Sequence, residues 1–119
     1  MTGRFRKQED LPEDDYRHNH PRFKGDNFQK NLDLVKKIEE LAAAKHCTAS
    51  QLALAWLLAQ GDDIVPIAGT KRRSYLEENA AAVRVSLTAQ ELAEIDRTAP
   101  LGVSAGARYA PEAMARVNQ

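Results

Sequence analysis

The tetrapeptide Ile64-Val65-Pro66-Ile67, bounded by Asp62-Asp63 and by Ala68-Gly69, restricts the fold more than any other stretch. A short apolar run rich in β-branched residues has the pattern of a strand buried on both faces, as in a parallel sheet, although Pro66 has no N–H to give to a ladder. Helical spacing lies on either side of it, and a strand between helices belongs to an α/β architecture. One strand is not a sheet, because its backbone donors and acceptors need neighbours on both sides. No second strand is evident in the 119 residues. The expectation is part of a larger α/β body, mostly helical as it stands, with one short buried parallel strand.

The helical spacing is explicit. Phe28, Leu32, Val35, Ile38 and Leu41 step by three or four, with Lys36, Lys37, Glu39 and Glu40 opposite, and predict an amphipathic helix from about Asn27 to Lys45. Thr48-Ala-Ser-Gln51 has the form of a capping box and opens a second helix, apolar nearly all round, that should end near Gln60 with Gly61 as a left-handed stop. Leu76, Ala80 and Val83 outline a third helical face. Thr88-Ala-Gln-Glu91, with Leu87 and Leu92 as a hydrophobic staple, starts a fourth helix that reaches about Thr98. Residues 1–25 have no sustained period and are dense in charge, proline and histidine, so they read as a long polar loop, with residues 26–119 as the helical body.

Charge narrows the function classes. Lys plus Arg and Asp plus Glu are 17 each, so no global field draws the chain to nucleic acid or to an acidic membrane surface, and a basic site must be local. The helix that Thr48 opens could suggest a helix-turn-helix, but its apolar surface leaves no face to read a groove. A single cysteine, Cys47, excludes an internal disulfide, and no signal-peptide pattern opens the chain, which together favour the cytoplasm. Cys47 reads as a small buried or boundary residue rather than a nucleophile. His18-Asn-His20 and the His46-Cys47 pair lack the further ligands a metal site requires, so no metal is assigned. Trp56 among leucines belongs to the core. What remains is Lys71-Arg72-Arg73, three cations where the apolar run hands over to a helix; such a run is ordinarily a solvated face.

The stretch "LALAWLLAQGDDIVPIAGTKRRSYLEEN", followed by "SLTAQELAEID" and "GARYAPEAM", resembles the C-terminal third of the aldo-keto reductases, and "TGRFRKQEDLPEDDYR" resembles the loop after the seventh strand of their barrel. The resemblance runs through almost the whole chain. It implies the C-terminal part of a (β/α)8 barrel, a fold of about 250 residues, with Ile64 to Ile67 as its last strand. It also implies that Gly69 to Asn79 holds the adenosine 2'-phosphate of NADPH. A helix start after a barrel strand directs free N–H groups and a positive dipole end toward an anion, and added cations give charge-assisted bonds.

Carried over by position, the resemblance implies that Gly69 permits close backbone approach and that Thr70 and Lys71 contact the 2'-phosphate. Arg72 would pair with the phosphate or stack on adenine, Tyr75 is an adenine-side neighbour, and Glu78 and Asn79 contact the adenine's amino and ring nitrogens. Arg4 corresponds to a basic position near the pyrophosphate, with Arg17 a weaker candidate for the cofactor. Arg73 receives no role, and Ala68 stands where the family usually has proline. The Tyr, Lys, Asp and His that serve the family's chemistry lie on the first four strands, which have no counterpart here, so no catalytic residue is assigned. The expectation is a piece of an NADPH-dependent reductase of aldehydes or ketones, carrying the cofactor's adenosine half-site. The alternative is a non-catalytic helical module that engages a partner, or a second copy of itself, through exposed apolar surface.

Overall fold

Ile38, Leu41 and Ala42 lie three and four residues apart and share one helix face, and around them the principal core forms. A computed structural model describes residues 5–117. Among these the α-helices are α1 (Gly25–Ala44), α2 (Ala49–Leu58), α3 (Arg73–Ala81), α4 (Ala89–Thr98) and the short α5 (Pro111–Met114). The backbone divides into two units, one comprising Lys37–Leu101 and the other residues 5–36 with 102–117; the division falls within α1.

In the Lys37–Leu101 unit, Ile38 and Ala42 of α1, Leu52 of α2 and Ile95 of α4 form the buried cluster, with Leu41, Cys47, Trp56 and Leu87 packed against it. Leu52 is the largest fully buried side chain among the described residues. Trp56 packs its ring on this core, and its indole N–H donates to Asp96 Oδ1 at 2.8 Å, so a half-buried aromatic keeps its polar atom satisfied.

The helix ends follow local rules. α1 terminates in a Schellman arrangement: the Cys47 N–H donates to the Ala42 carbonyl and the His46 N–H to the Ala43 carbonyl, each at 3.0 Å, with His46 at φ 54° in the position usually given to glycine. Both expected capping boxes form. The Gln51 N–H donates to Thr48 Oγ1 at 3.2 Å while Gln51 Oε1 accepts the Thr48 N–H at 3.0 Å. The Glu91 N–H donates to Thr88 Oγ1 at 3.3 Å while Glu91 Oε2 accepts the Thr88 N–H at 2.7 Å. Glu91 also pairs with Lys45, Nζ to Oε1 at 2.8 Å, and so ties the start of α4 to the residue after α1.

Three expectations are corrected. Ile64 to Ile67 is not a strand, and no strand occurs among the described residues. Val65 is 79% and Ile67 95% exposed, since no neighbouring strand is present to accept the ladder or cover the side chains. Gly61 is not in the left-handed region; α2 ends through Ala59 in right-handed geometry, its N–H donating to the Ala55 carbonyl. Beyond α3, Ala82 is the buried residue, in a 3-10 turn over Ala82–Arg84, whereas Leu76 and Val83 are 57% and 73% exposed because the face they share has no partner among the described residues.

In the other unit the leader forms 3-10 turns at Gln8–Asp10, Tyr16–Asn19 and Pro21–Phe23. Asn31 of α1 holds it to the later segment: its amide donates to the Arg22 and Ala105 carbonyls at 3.0 and 2.9 Å, and its oxygen accepts the Ala105 N–H at 2.8 Å. Gly106, at φ +89°, lies so close to Pro21 that a Cβ would meet its carbonyl carbon and oxygen at 2.9 Å. The His20 ring meets Tyr16, Phe23 and Tyr109 edge-on, and the His18 ring Nε2 lies 2.9 Å from the Pro12 carbonyl oxygen.

Leu52→Ala should lower unfolding stability by about 2–5 kcal/mol, the cost of a truncated core leucine, as read by urea denaturation followed by circular dichroism. Acid should act through three carboxylates, of which Asp10 is held below its ordinary value by the Arg6 and then the Lys7 N–H. The Lys45 ammonium, then the Thr88 N–H and hydroxyl, hold Glu91 down at about 2, and the Arg17 side chain, then its N–H, hold Asp15 down at about 2. Folded-state values below the ordinary carboxylate range mean that this stability is complete above about pH 4–5 and is lost as the pH falls toward 2. Solvent access keeps the effect small. The melting temperature should hold steady from pH 7 to about 5 and then decline, with a shallower decline in Glu91→Gln.

Candidate functional site

After α2 the chain runs through Asp62-Asp63 into an exposed irregular segment, and Thr70 then sets the start of α3. Thr70 Oγ1 accepts the Arg72 N–H at 3.4 Å and donates to the Arg72 carbonyl at 3.2 Å. That carbonyl also accepts the Tyr75 and Leu76 N–H groups, each at 3.1 Å. Arg72 occupies the N-cap position in extended geometry, and no side chain caps α3. α2 and α4, by contrast, are closed by Thr48 and Thr88. The start of α3 therefore retains the positive end of a helix without an internal acceptor of its own.

The three cations divide their roles. Arg73 Nε pairs with Glu77 Oε1 at 2.8 Å, one helical turn on, and both are exposed. The Arg72 guanidinium lies 5.6 Å from the centre of the Tyr75 ring. Lys71 is exposed and makes no ion pair among the described residues. Nothing lies within 4 Å of where a Cβ on Gly69 would stand, so the backbone there is open to approach.

Glu78 and Asn79, half-buried, stand near the other end of α3. Thr48 Oγ1 donates to Glu78 Oε1 at 2.8 Å, and Gln51 Nε2 donates to the Glu78 carbonyl at 3.0 Å. Thr48 and Gln51 are legible in the sequence as a capping box, but nothing local in the sequence joins them to a residue about thirty positions away. A cavity of about 410 Å³ in the same unit is lined by Lys45, His46, Cys47, Gln51, Arg84 and Ser86 among others, and by none of Gly69 to Asn79. Burial pushes the Cys47 thiol up, away from nucleophilic thiolate character.

The structure brings Gly69, Thr70, Lys71, Arg72, Tyr75, Glu78 and Asn79 into the Lys37–Leu101 unit, whereas Arg17 belongs to the other unit. Arg17 is engaged there: Nε donates to Asp15 Oδ1 at 2.9 Å, Nη2 pairs with Asp15 Oδ2, and the guanidinium lies 4.4 Å over the Phe5 ring. Arg4 lies outside the described residues. No group of three or more His, Cys, Asp or Glu side chains suited to a metal ion occurs among the described residues. No helix among them is long and apolar enough to cross a membrane.

Residues 1–100 match the model of the aldo/keto reductase family. Curated relatives agree. The Schizosaccharomyces pombe protein named aldo-keto reductase yakc [NADP(+)] is 49% identical over 117 residues, covering 98% of this chain and 34% of the relative. A probable aldo-keto reductase 1 of Glycine max is 46% identical over 90 residues, 76% of this chain and 26% of the relative. Aldo-keto reductase str7 of Strobilurus tenacellus is 38% identical over 99 residues, 83% of this chain and 30% of the relative. The chain thus spans about a third of the length, or less, of the curated relatives it matches. A family match over most of its residues, together with this identity along nearly its full length, places the chain in the aldo/keto reductase family, whose fold is the (β/α)8 barrel.

Proposed function

We propose that Gly69 to Asn79 holds the adenosine 2'-phosphate end of NADP(H) in an oxidoreductase that reduces aldehydes or ketones. The observation that carries this reading is the uncapped start of α3 beside Lys71 and Arg72. Helix N-terminal N–H groups and the helix dipole favour a phosphate, and the two cations add charge-assisted bonds to it. Support also comes from the yeast relative, whose name specifies NADP(+).

Thr70 and Lys71 are assigned to the phosphate. Arg72 has two options, pairing with the phosphate or, from beside Tyr75, stacking on adenine. Glu78 and Asn79 are assigned to the adenine edge. Arg73, paired with Glu77, has no part in the cofactor site. Arg4 remains a candidate for the pyrophosphate and Arg17 a weaker one, since Arg17 is already held by Asp15. Gly69 to Asn79 would bind and orient the adenosine half of the dinucleotide, which when bound would supply the hydride for carbonyl reduction. No residue of this chain is assigned to carbonyl protonation, so the isolated chain should bind cofactor without turning over: NADPH oxidation with a panel of aldehydes and ketones should stay at the blank rate.

Replacing Lys71 and Arg72 together by alanine should weaken NADPH by at least about tenfold, the equivalent of one hydrogen bond to a charged group. NADH, which lacks the 2'-phosphate, should be nearly unaffected, and Arg73→Ala should change neither. Equal loss for both dinucleotides in a fluorescence titration would remove the phosphate assignment.

A further inference from the structure

Glu78 is the one carboxylate assigned to the cofactor, and its position is set from another helix. A glutamate has three side-chain torsions, and holding its carboxylate in one place costs entropy unless the protein has fixed it beforehand. Thr48, at the start of α2, donates its hydroxyl to Glu78 Oε1 at 2.8 Å, while Thr48 Oγ1 itself accepts the Gln51 N–H. Gln51 then donates its side-chain amide to the Glu78 carbonyl at 3.0 Å. That carbonyl belongs to the last turn of α3, whose acceptors lack partners within the helix. Side chain and backbone of one residue are thus gripped by two residues of a single capping box. No cation among the described residues pairs with Glu78, so none of these residues neutralises its charge.

We propose that Thr48, supported by Gln51, is a positioning residue for adenine recognition, holding Oε1 of Glu78 and leaving Oε2 to accept from the exocyclic amino group. This role rests on the cofactor reading above. It makes the contact selective for the base, because hypoxanthine has a carbonyl where adenine has the amino group and would set oxygen against oxygen. The helix cap and the base preference then depend on the same hydroxyl.

The test compares NADPH with its hypoxanthine analogue by calorimetric titration of the full chain. The variants are Thr48→Asp, which still caps a helix well but cannot donate to Glu78, and Thr48→Ser, which keeps both functions; melting by circular dichroism establishes that each is folded. The wild-type chain and Thr48→Ser should prefer adenine by about tenfold or more, as one charge-assisted hydrogen bond allows, and Thr48→Asp should lose most of that preference. A folded Thr48→Asp that keeps the wild-type preference would overturn the positioning role while leaving the cofactor site in place. Equal wild-type affinity for the two dinucleotides would do the same. Absence of any binding by the wild-type chain would overturn the cofactor reading and this role with it.

Discussion

The Thr48 hydroxyl is the point on which the arrangement of α2 and α3 turns. It accepts from Gln51 to close the start of α2 and donates to Glu78 of α3, so one side chain ends an otherwise open set of backbone donors and joins two helices. From that start α2 buries Leu52 against α1 and α4. Glu91 repeats the device at α4, where the carboxylate that completes the capping box also takes the Lys45 ammonium. Capping is worth only about 0.5–2 kcal/mol at each helix, but here each cap doubles as a contact between elements.

The absence of such a cap at α3 gives its N-terminus a different character. Thr70 turns its hydroxyl onto Arg72 within the turn, leaving the helix start beside two cations that neither Asp nor Glu neutralises among the described residues. Arg73, in the same run, is drawn onto Glu77 one turn along. Three adjacent positive residues thus have three different surroundings, and only the geometry separates them.

α1, α2 and α4 were legible because their signals are local. Thr48 with Gln51 and Thr88 with Glu91 mark starts by a spacing of three, and Ile38 and Leu41 mark a buried face by a period near 3.6. The run Ile64 to Ile67 misled for the opposite reason. β-branched composition records what a sheet would bury, but a strand exists only where neighbours accept its hydrogen bonds, and the described residues supply none. Gly61 misled because glycine permits left-handed geometry without requiring it, and α2 closes through Ala59 instead. At the candidate site the cations and the Glu78-Asn79 pair were visible as residue types. The bonds from Thr48 and Gln51 to Glu78, the pairing of Arg17 with Asp15 and the bridging by Asn31 were not, since each depends on a side-chain direction or a long-range contact.

The most direct test of the cofactor assignment maps where the adenosine end binds. In a 15N-labelled chain titrated with 2'-phospho-ADP-ribose, the amide resonances from Thr70 to Ser74 should move together with those of Glu78 and Asn79. Titration with ADP-ribose should move only the Glu78 and Asn79 group to a comparable extent. Identical shifts with the two ligands, or shifts centred on the cavity lined by Lys45, His46 and Arg84, would contradict a 2'-phosphate site at the start of α3.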